Sequence, residues 1–154
     1  MLSASPSSGT AIAESIGALA DLKGEGKIRH IGVSNMNEAQ LREAQQVTPV
    51  VSVQNRYNVS DRSSDAMVDL CDQEQLVFIP WAPVQDAERK VAVEVAAERH
   101  GVSVHQIVLA WLLAKSPQML PIPGSSSAEH VEANIAAASL DLSAEELEAI
   151  SKGG

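Results

Sequence analysis

The chain has 154 residues, a hydrophobic fraction of 45% and a formal net charge of -9, from 20 acidic and 11 basic residues. That length is enough for one domain with a core of its own, and the composition is typical of a globular protein. The acidic balance argues against nucleic acid or an anionic membrane as a partner, because both repel a negative surface.

From residue 11 onward, helical patterns alternate with short β-branched and apolar runs. In chain order the predicted elements are a helix around Ile16, a strand at 28–33, a helix capped by Asn37, a strand at 50–53, a helix at 65–73, a strand at 76–79, helices at 91–100 and 103–115, a strand at 119–122, a helix at 127–138 and a last helix. Capping boxes are predicted for Ser103 with Gln106 and for Ser143 with Glu146.

The predicted strands do not alternate apolar with polar residues, which is typical of strands buried on both faces of a parallel sheet. Helices that connect parallel strands form right-handed βαβ units. The sequence therefore predicts an α/β fold with about four parallel strands and helices on the outside.

The N-terminal residues and the apolar runs predict the bounds of the folded domain and the cellular compartment. Residues 1–10 are rich in Ser, Pro and Gly and predict a flexible arm, which leaves 11–154 as the folded domain. No apolar run reaches the roughly 18 residues of a membrane helix, and no signal-peptide pattern begins the chain. We therefore expect a cytoplasmic protein without membrane association. Its single cysteine, Cys71, excludes an internal disulfide.

Polar, aromatic or small residues follow each predicted strand at its carboxyl end. Parallel strands bring these ends to one rim, where α/β proteins bind ligands. The residues are Ser34 and Asn35 after the first strand, Gln54 and Asn55 after the second, Trp81, Ala82 and Pro83 after the third, and Gly124, Ser125, Ser126 and Ser127 after the fourth.

The chemistry of these residues suits a nicotinamide dinucleotide. The hydroxyl and carboxamide groups of Ser34, Asn35 and Gln54 can donate and accept hydrogen bonds, as the nicotinamide carboxamide requires. Trp81 offers a flat face for stacking. The loop at 124–127 leads into a helix, whose free N–H groups and dipole favour a phosphate.

Each feature also has a purely structural explanation. Ser34 and Asn35 suit a turn before a helix, and Trp81 suits a core. A serine-rich loop is a common helix entry. Gln54 is the most specific signal, because an unpaired buried carboxamide costs about 1–3 kcal/mol.

Four segments resemble strands five to eight of the aldo-keto reductases. They are Gly-Lys-Ile-Arg-His-Ile-Gly-Val-Ser-Asn at 26–35, Val-Gln-Asn-Arg-Tyr-Asn at 53–58, Phe-Ile-Pro-Trp-Ala-Pro-Val at 78–84, and Leu-Pro-Ile-Pro-Gly-Ser-Ser-Ser at 120–127. The resemblance covers nearly all of 11–150 and implies the carboxyl-terminal half of a (β/α)₈ TIM barrel. It also implies an NADP(H)-dependent oxidoreductase that reduces carbonyl compounds.

The resemblance assigns cofactor-binding roles to the rim residues. It implies that Ser34, Asn35 and Gln54 hold the nicotinamide carboxamide, that Trp81 with Ala82 and Pro83 flanks the ring, that Gly124, Ser125, Ser126 and Ser127 contact the phosphates, and that His130 and Asn134 contact the adenosine end. His130 stands where many members of the family have an arginine.

The family takes its catalytic Asp, Tyr, Lys and His from the first four strands, which have no counterpart in this sequence. The one tyrosine, Tyr57, belongs to a different motif. We therefore expect the chain alone to be inactive, and we predict neither a catalytic residue nor a metal site.

Half a barrel would expose two sheet edges, and exposed edges invite pairing with another chain. We expect a homodimer or a complex with a complementary half-barrel chain, which would bind a small carbonyl substrate only once the barrel is complete. The alternative is a non-catalytic dinucleotide-binding or scaffold module that dimerises through these edges.

Overall fold

A computed structural model describes residues 11–152. The predicted arm at 1–10 lies outside the described residues. The helices are α1 (Ile12–Gly24), α2 (Glu38–Val47), α3 (Asp65–Gln73), α4 (Val91–His100), α5 (Val104–Lys115), α6 (Ala128–Ala136) and α7 (Ala144–Lys152), and the strands are β1 (Gly32–Ser34), β2 (Ser52–Gln54) and β3 (Val77–Phe78). Short 3-10 turns at Ala87–Arg89 and Ala137–Ser139 precede α4 and follow α6.

The three strands form one parallel sheet in the order β1-β2-β3. Val33 lies opposite Val53, and Val53 lies opposite Phe78, so the strands are aligned in chain order. Helices α2 and α3 provide the crossover connections, as the alternating pattern predicts.

The predicted fourth strand at 119–122 is wrong as a strand. It is reduced to a parallel bridge between Met119 and Phe78, in which the Leu120 N–H donates to the Phe78 carbonyl at 2.9 Å. Pro121 and Pro123 have no N–H group, so the ladder cannot continue beyond this point. The segment nevertheless occupies the fourth position in the sheet order.

The first strand is shorter than predicted, because β1 begins only at Gly32. Arg29 and His30 are exposed and lie outside the ladder. Among the described residues β1 has a partner on one side only, so little holds these residues in an extended pairing.

The predicted helix caps are confirmed. The Asn37 side chain accepts a hydrogen bond from the Gln40 N–H at 2.9 Å, and the Gln40 side chain accepts one from the Asn37 N–H. Ser103 and Gln106 form the same reciprocal box at the start of α5. Gly101, at φ 66°, ends α4 in the left-handed conformation that favours glycine.

The core lies between the sheet and the helices and centres on three aromatic rings. Tyr57 packs edge-on against Phe78 at 5.7 Å and stacks on Trp111 at 6.0 Å between centroids. Cys71 is fully buried, and burial raises the pKa of its thiol to about 12, as expected of a packing residue.

Over residues 11–152, no helix combines the length and apolarity needed to cross a bilayer.

Candidate functional site

The carboxyl ends of the three strands lie side by side and bring separate loops into contact. The Trp81 Nε1–H donates to the Asn35 Oδ1 at 2.9 Å, a contact between residues 46 positions apart. The Asn35 N–H donates to the Gln54 carbonyl at 2.9 Å. Asn35, Gln54 and Trp81 therefore lie at one rim of the sheet.

The backbone of this rim is strained at two residues. Asn35 has φ 55° and Ala82 has φ 53°, both in the left-handed region. Asparagine tolerates that conformation, whereas alanine pays about 1–2 kcal/mol for it. Non-glycine residues in this region concentrate at functional sites, which agrees with the location of both at the rim.

Two buried asparagines hold the rim loops in place. Asn55 was predicted to lie at the rim without an assigned role, and Asn58 was not predicted as a site residue. The Asn55 side chain accepts from the Met36 N–H at 3.2 Å and donates to the Met36 carbonyl at 2.8 Å. Asn58 is fully buried and donates to the Ala82 carbonyl at 3.1 Å. Each asparagine thus ties the loop after β2 to a neighbouring rim loop.

Gln54 is half-buried at the end of β2, directly opposite Ser34 on β1. Within residues 11–152 its side chain makes no hydrogen bond to the protein. A carboxamide in this setting is available to a ligand with complementary donors and acceptors.

The loop at 124–127 leads into α6. The Ser125 Oγ accepts from the Ser127 N–H and donates to the Ser127 carbonyl, both at 3.1 Å. The Ser127 Oγ accepts from the His130 N–H at 3.5 Å and so caps the helix. Gly124, Ser125 and Ser126 are exposed, which leaves their backbone groups accessible.

A small depression of about 150 Å³ lies beside this loop. Three of the predicted residues line it, namely Gly124, His130 and Asn134. Val84 also lines it and lies three positions after Trp81, so the loop after β3 reaches from the Trp81 end to the 124–127 end.

His105 lines the same depression and was not predicted as a site residue. Its Nε2 lies 3.5 Å from the Glu88 Oε1. The sequence held no spacing signal for it, because only the packing of α5 against α6 brings it there.

Tyr57 has a structural role. It is fully buried, and its hydroxyl donates to the Asp65 Oδ1 at 2.5 Å. Burial, together with this hydrogen bond, raises the pKa of Tyr57 well above the usual tyrosine range. In the described part of the chain, no group of three His, Cys, Asp or Glu residues could hold a metal ion.

Comparison with known proteins identifies the family. A model of the aldo/keto reductase family matches residues 1–88 and 86–153. The chain therefore belongs to the aldo/keto reductase family, as its rim motifs predict. The two matched parts meet at 86–88, in the connection between β3 and α4.

Individual relatives agree with this assignment. An uncharacterized oxidoreductase of Schizosaccharomyces pombe is 40% identical over 130 residues, covering 82% of this chain and 42% of the relative. The pyridoxine 4-dehydrogenase of Escherichia coli is 38% identical over 139 residues, covering 88% of this chain and 48% of the enzyme.

A solved structure supports the fold. The crystal structure of an aldo-keto reductase from Klebsiella pneumoniae in complex with NADPH matches with a TM-score of 0.83 and 27% identity, covering 93% of this chain and 54% of that one. The chain thus spans about half the length of the proteins it matches. The predicted half of a TIM barrel is confirmed.

Proposed function

We propose that this chain is the dinucleotide-binding half of an NADP(H)-dependent aldo/keto reductase. The observation that carries the proposal is the 2.9 Å hydrogen bond from Trp81 to Asn35, which joins two rim loops into one surface. That the Klebsiella pneumoniae relative was crystallised with NADPH supports this choice of cofactor.

The nicotinamide end of the cofactor is assigned to β1, β2 and the loop after β3. Ser34, Asn35 and the free carboxamide of Gln54 would bind the nicotinamide carboxamide. Trp81 would stack on the ring, and Ala82 and Pro83 would border it. The hydrogen bond from Trp81 to Asn35 supports this assignment, because it fixes the indole beside the carboxamide-binding groups.

The phosphate and adenosine end is assigned to the start of α6. Gly124, Ser125 and Ser126 would offer backbone N–H groups to the phosphates, and Ser126 and Ser127 would offer hydroxyls, with the positive end of the α6 dipole behind them. The Ser127 N–H and the Ser125 hydroxyl already bond to each other's residue and hold the loop in shape. His130 and Asn134 would contact the adenosine end, since both line the depression next to Gly124.

NADPH, when bound, would supply a hydride, and the residues of this chain would bind and orient the cofactor. Carbonyl reduction also needs a proton donor, and Tyr57 is committed to the core. We expect turnover to require a half barrel that carries the Asp, Tyr, Lys and His of the family, so the chain alone should be inactive with carbonyl substrates.

Fluorescence titration with NADP+ tests the cofactor site. We expect saturable quenching of the indole emission, because the nicotinamide would stack on Trp81. Trp81→Phe should abolish the quenching, whereas the buried Trp111 remains as an internal reference. Calorimetric titration with NADPH provides the independent measure of binding. A chain that binds neither form of the cofactor contradicts the proposal.

The sheet edge beyond Met119 is open and suggests what kind of partner the chain binds. Leu120 and Ile122, just beyond the bridge at Met119, are 52% and 43% exposed. Leu120 also lines a groove of about 310 Å³, together with Val131 and Ile135. Apolar surface at a sheet edge marks an interaction site. We propose that a complementary half barrel covers this side, since the chain spans about half of its relatives. Use of the same edges for dimerisation by a non-catalytic scaffold is the alternative.

A further inference from the structure

Arg56 lies against the indole of Trp81. The two residues form a parallel bridge, and the guanidinium carbon lies 5.5 Å from the centroid of the indole ring. That distance is within the roughly 6 Å range of a cation–π contact. Arg56 follows Gln54 by two positions in an extended segment, so both side chains face the same side of the sheet.

Neighbouring side chains hold both groups in place. The Arg56 Nη2 donates to the Gln85 Oε1 at 3.2 Å. Its Nε lies 3.2 Å from the Asp61 Oδ2, an ion pair in which the Nε–H is not aligned as a hydrogen bond. The hydrogen bond to Asn35 fixes the indole. The cation and the ring therefore have a defined mutual geometry.

We propose that Arg56 causes the stacking site on Trp81 to bind the neutral, reduced nicotinamide ring more tightly than the cationic, oxidised ring. The inference rests on the proposed function, which assigns the nicotinamide to Trp81. An aromatic face attracts cations through its quadrupole, and Arg56 already uses this attraction. A second cation stacked on the same indole meets a weaker attraction and the repulsion of the guanidinium. Asp61 offsets part of that repulsion, so the expected preference is modest.

The first test compares the affinities of NADPH and NADP+ for the 154-residue chain by calorimetry. The phosphates of the two forms are the same, so the ratio of their dissociation constants isolates the ring. Arg56→Met removes the charge but keeps an unbranched side chain against the indole. We expect it to strengthen NADP+ binding relative to NADPH by about threefold, the scale of an exposed cation–π contact.

Two further variants separate charge from structure. Arg56→Lys keeps the cation and should keep the wild-type ratio. Arg89→Met removes a charge from an 80% exposed side chain that pairs with Asp86, and it should also leave the ratio unchanged. An unchanged ratio in Arg56→Met, or an equal change in Arg89→Met, overturns the inference.

The second test does not require dinucleotide binding. Indole emission is quenched with the N-methylnicotinamide cation and, separately, with neutral acrylamide. Trp111 is fully buried, so Trp81 dominates the quenched signal. Arg56→Met should raise the ratio of cationic to neutral quenching by about twofold or more, and Arg56→Lys should not. Equal ratios in all variants contradict the role of Arg56.

The two tests distinguish the failure of the inference from that of the proposed function. If neither cofactor form binds the wild-type chain, the cofactor proposal fails, and the quenching ratios alone decide the role of Arg56. If both forms bind but neither ratio differs between the wild type and Arg56→Met, the role of Arg56 fails and the cofactor proposal stands.

Discussion

At the scale of single residues, the rim depends on buried amide side chains. The Asn58 side chain donates a hydrogen bond to the carbonyl of Ala82, whose φ is left-handed. It also accepts hydrogen bonds from the N–H groups of Ser60 and Asp61 at 2.9 and 2.8 Å. One carboxamide thereby satisfies three backbone groups that a bulkier or apolar residue would leave unpaired. The loop that presents Trp81 is fixed through this side chain.

Asn58→Ala should lower the free energy of unfolding by about 2–3 kcal/mol, because it removes three hydrogen bonds made by a fully buried carboxamide. Urea denaturation at neutral pH measures the loss. Asn37→Ala, which removes only an exposed helix cap, is the matched control and should cost about 1 kcal/mol. Equal losses in the two variants would show that Asn58 is no more than a turn residue.

The sequence revealed the residues of the rim but not the contacts between its loops. Gln54 and Trp81 could be assigned to the rim because each follows a recognisable strand. The roles of Asn55, Asn58 and Arg56 depend on which loops meet across the sheet. Neither periodicity nor capping residues carry that information, since the contacts join residues about 20 or more positions apart.

At the scale of elements, local signals predicted the helices better than the strands. Helices α3 and α4 have the predicted bounds, 65–73 and 91–100. Caps and helical periodicity act within a few residues, so the sequence contains them in full. The strands depend on partners far along the chain. The predicted strand at 119–122 is wrong because Pro121 and Pro123 stop its ladder, and the helix at 127–138 ends as a 3-10 turn after Ala136.

We expect the start of α7 to be sensitive to acid, because it depends on the ionised carboxylate of Glu146. The Ser143 N–H donates to the Glu146 Oε2 at 2.8 Å, and His100 and Arg99 lie 3.2 and 3.0 Å from the other carboxylate oxygen. The hydrogen bond from the Ser143 backbone is the largest cause that lowers the pKa of Glu146 to about 2.

A folded-state pKa below the ordinary value of 4.5 means that ionised Glu146 stabilises the fold above that pH. This contribution is lost as the pH falls from 4.5 towards 2. We expect Glu146→Gln to be about 1–2 kcal/mol less stable than the wild type at pH 6. The difference should shrink steadily below pH 4.5 in urea denaturation series. A constant difference across that range would contradict the role of the charge.

At the scale of the whole molecule, the fold leaves both edges of its sheet without a partner among the described residues. One is the edge of β1, and the other is the segment after Met119 with exposed Leu120 and Ile122. In a complete barrel these sides would close on each other through further strands. Closure is therefore the simplest physical reason for another chain or segment to bind here.

Light scattering after size exclusion tests this expectation for the 154-residue chain. We expect a dimer or larger species, and Leu120→Glu with Ile122→Glu should shift it towards a monomer by charging the edge. Val91→Glu, at a 72% exposed position on α4, is the matched control and should not. A wild-type chain that is a monomer and unfolds cooperatively would contradict self-association through this edge and leave the complementary half barrel as the proposed partner.

One rim of the sheet is proposed to bind both ends of NADP(H). The most direct measurement is a titration of the ¹⁵N-labelled chain with NADPH, followed through the backbone amide resonances. The claim predicts saturable shifts with one affinity at Ser34, Asn35, Gln54 and Trp81 and also at 124–127. Shifts confined to residues away from the carboxyl ends of the strands, or no shifts at millimolar NADPH, would contradict it.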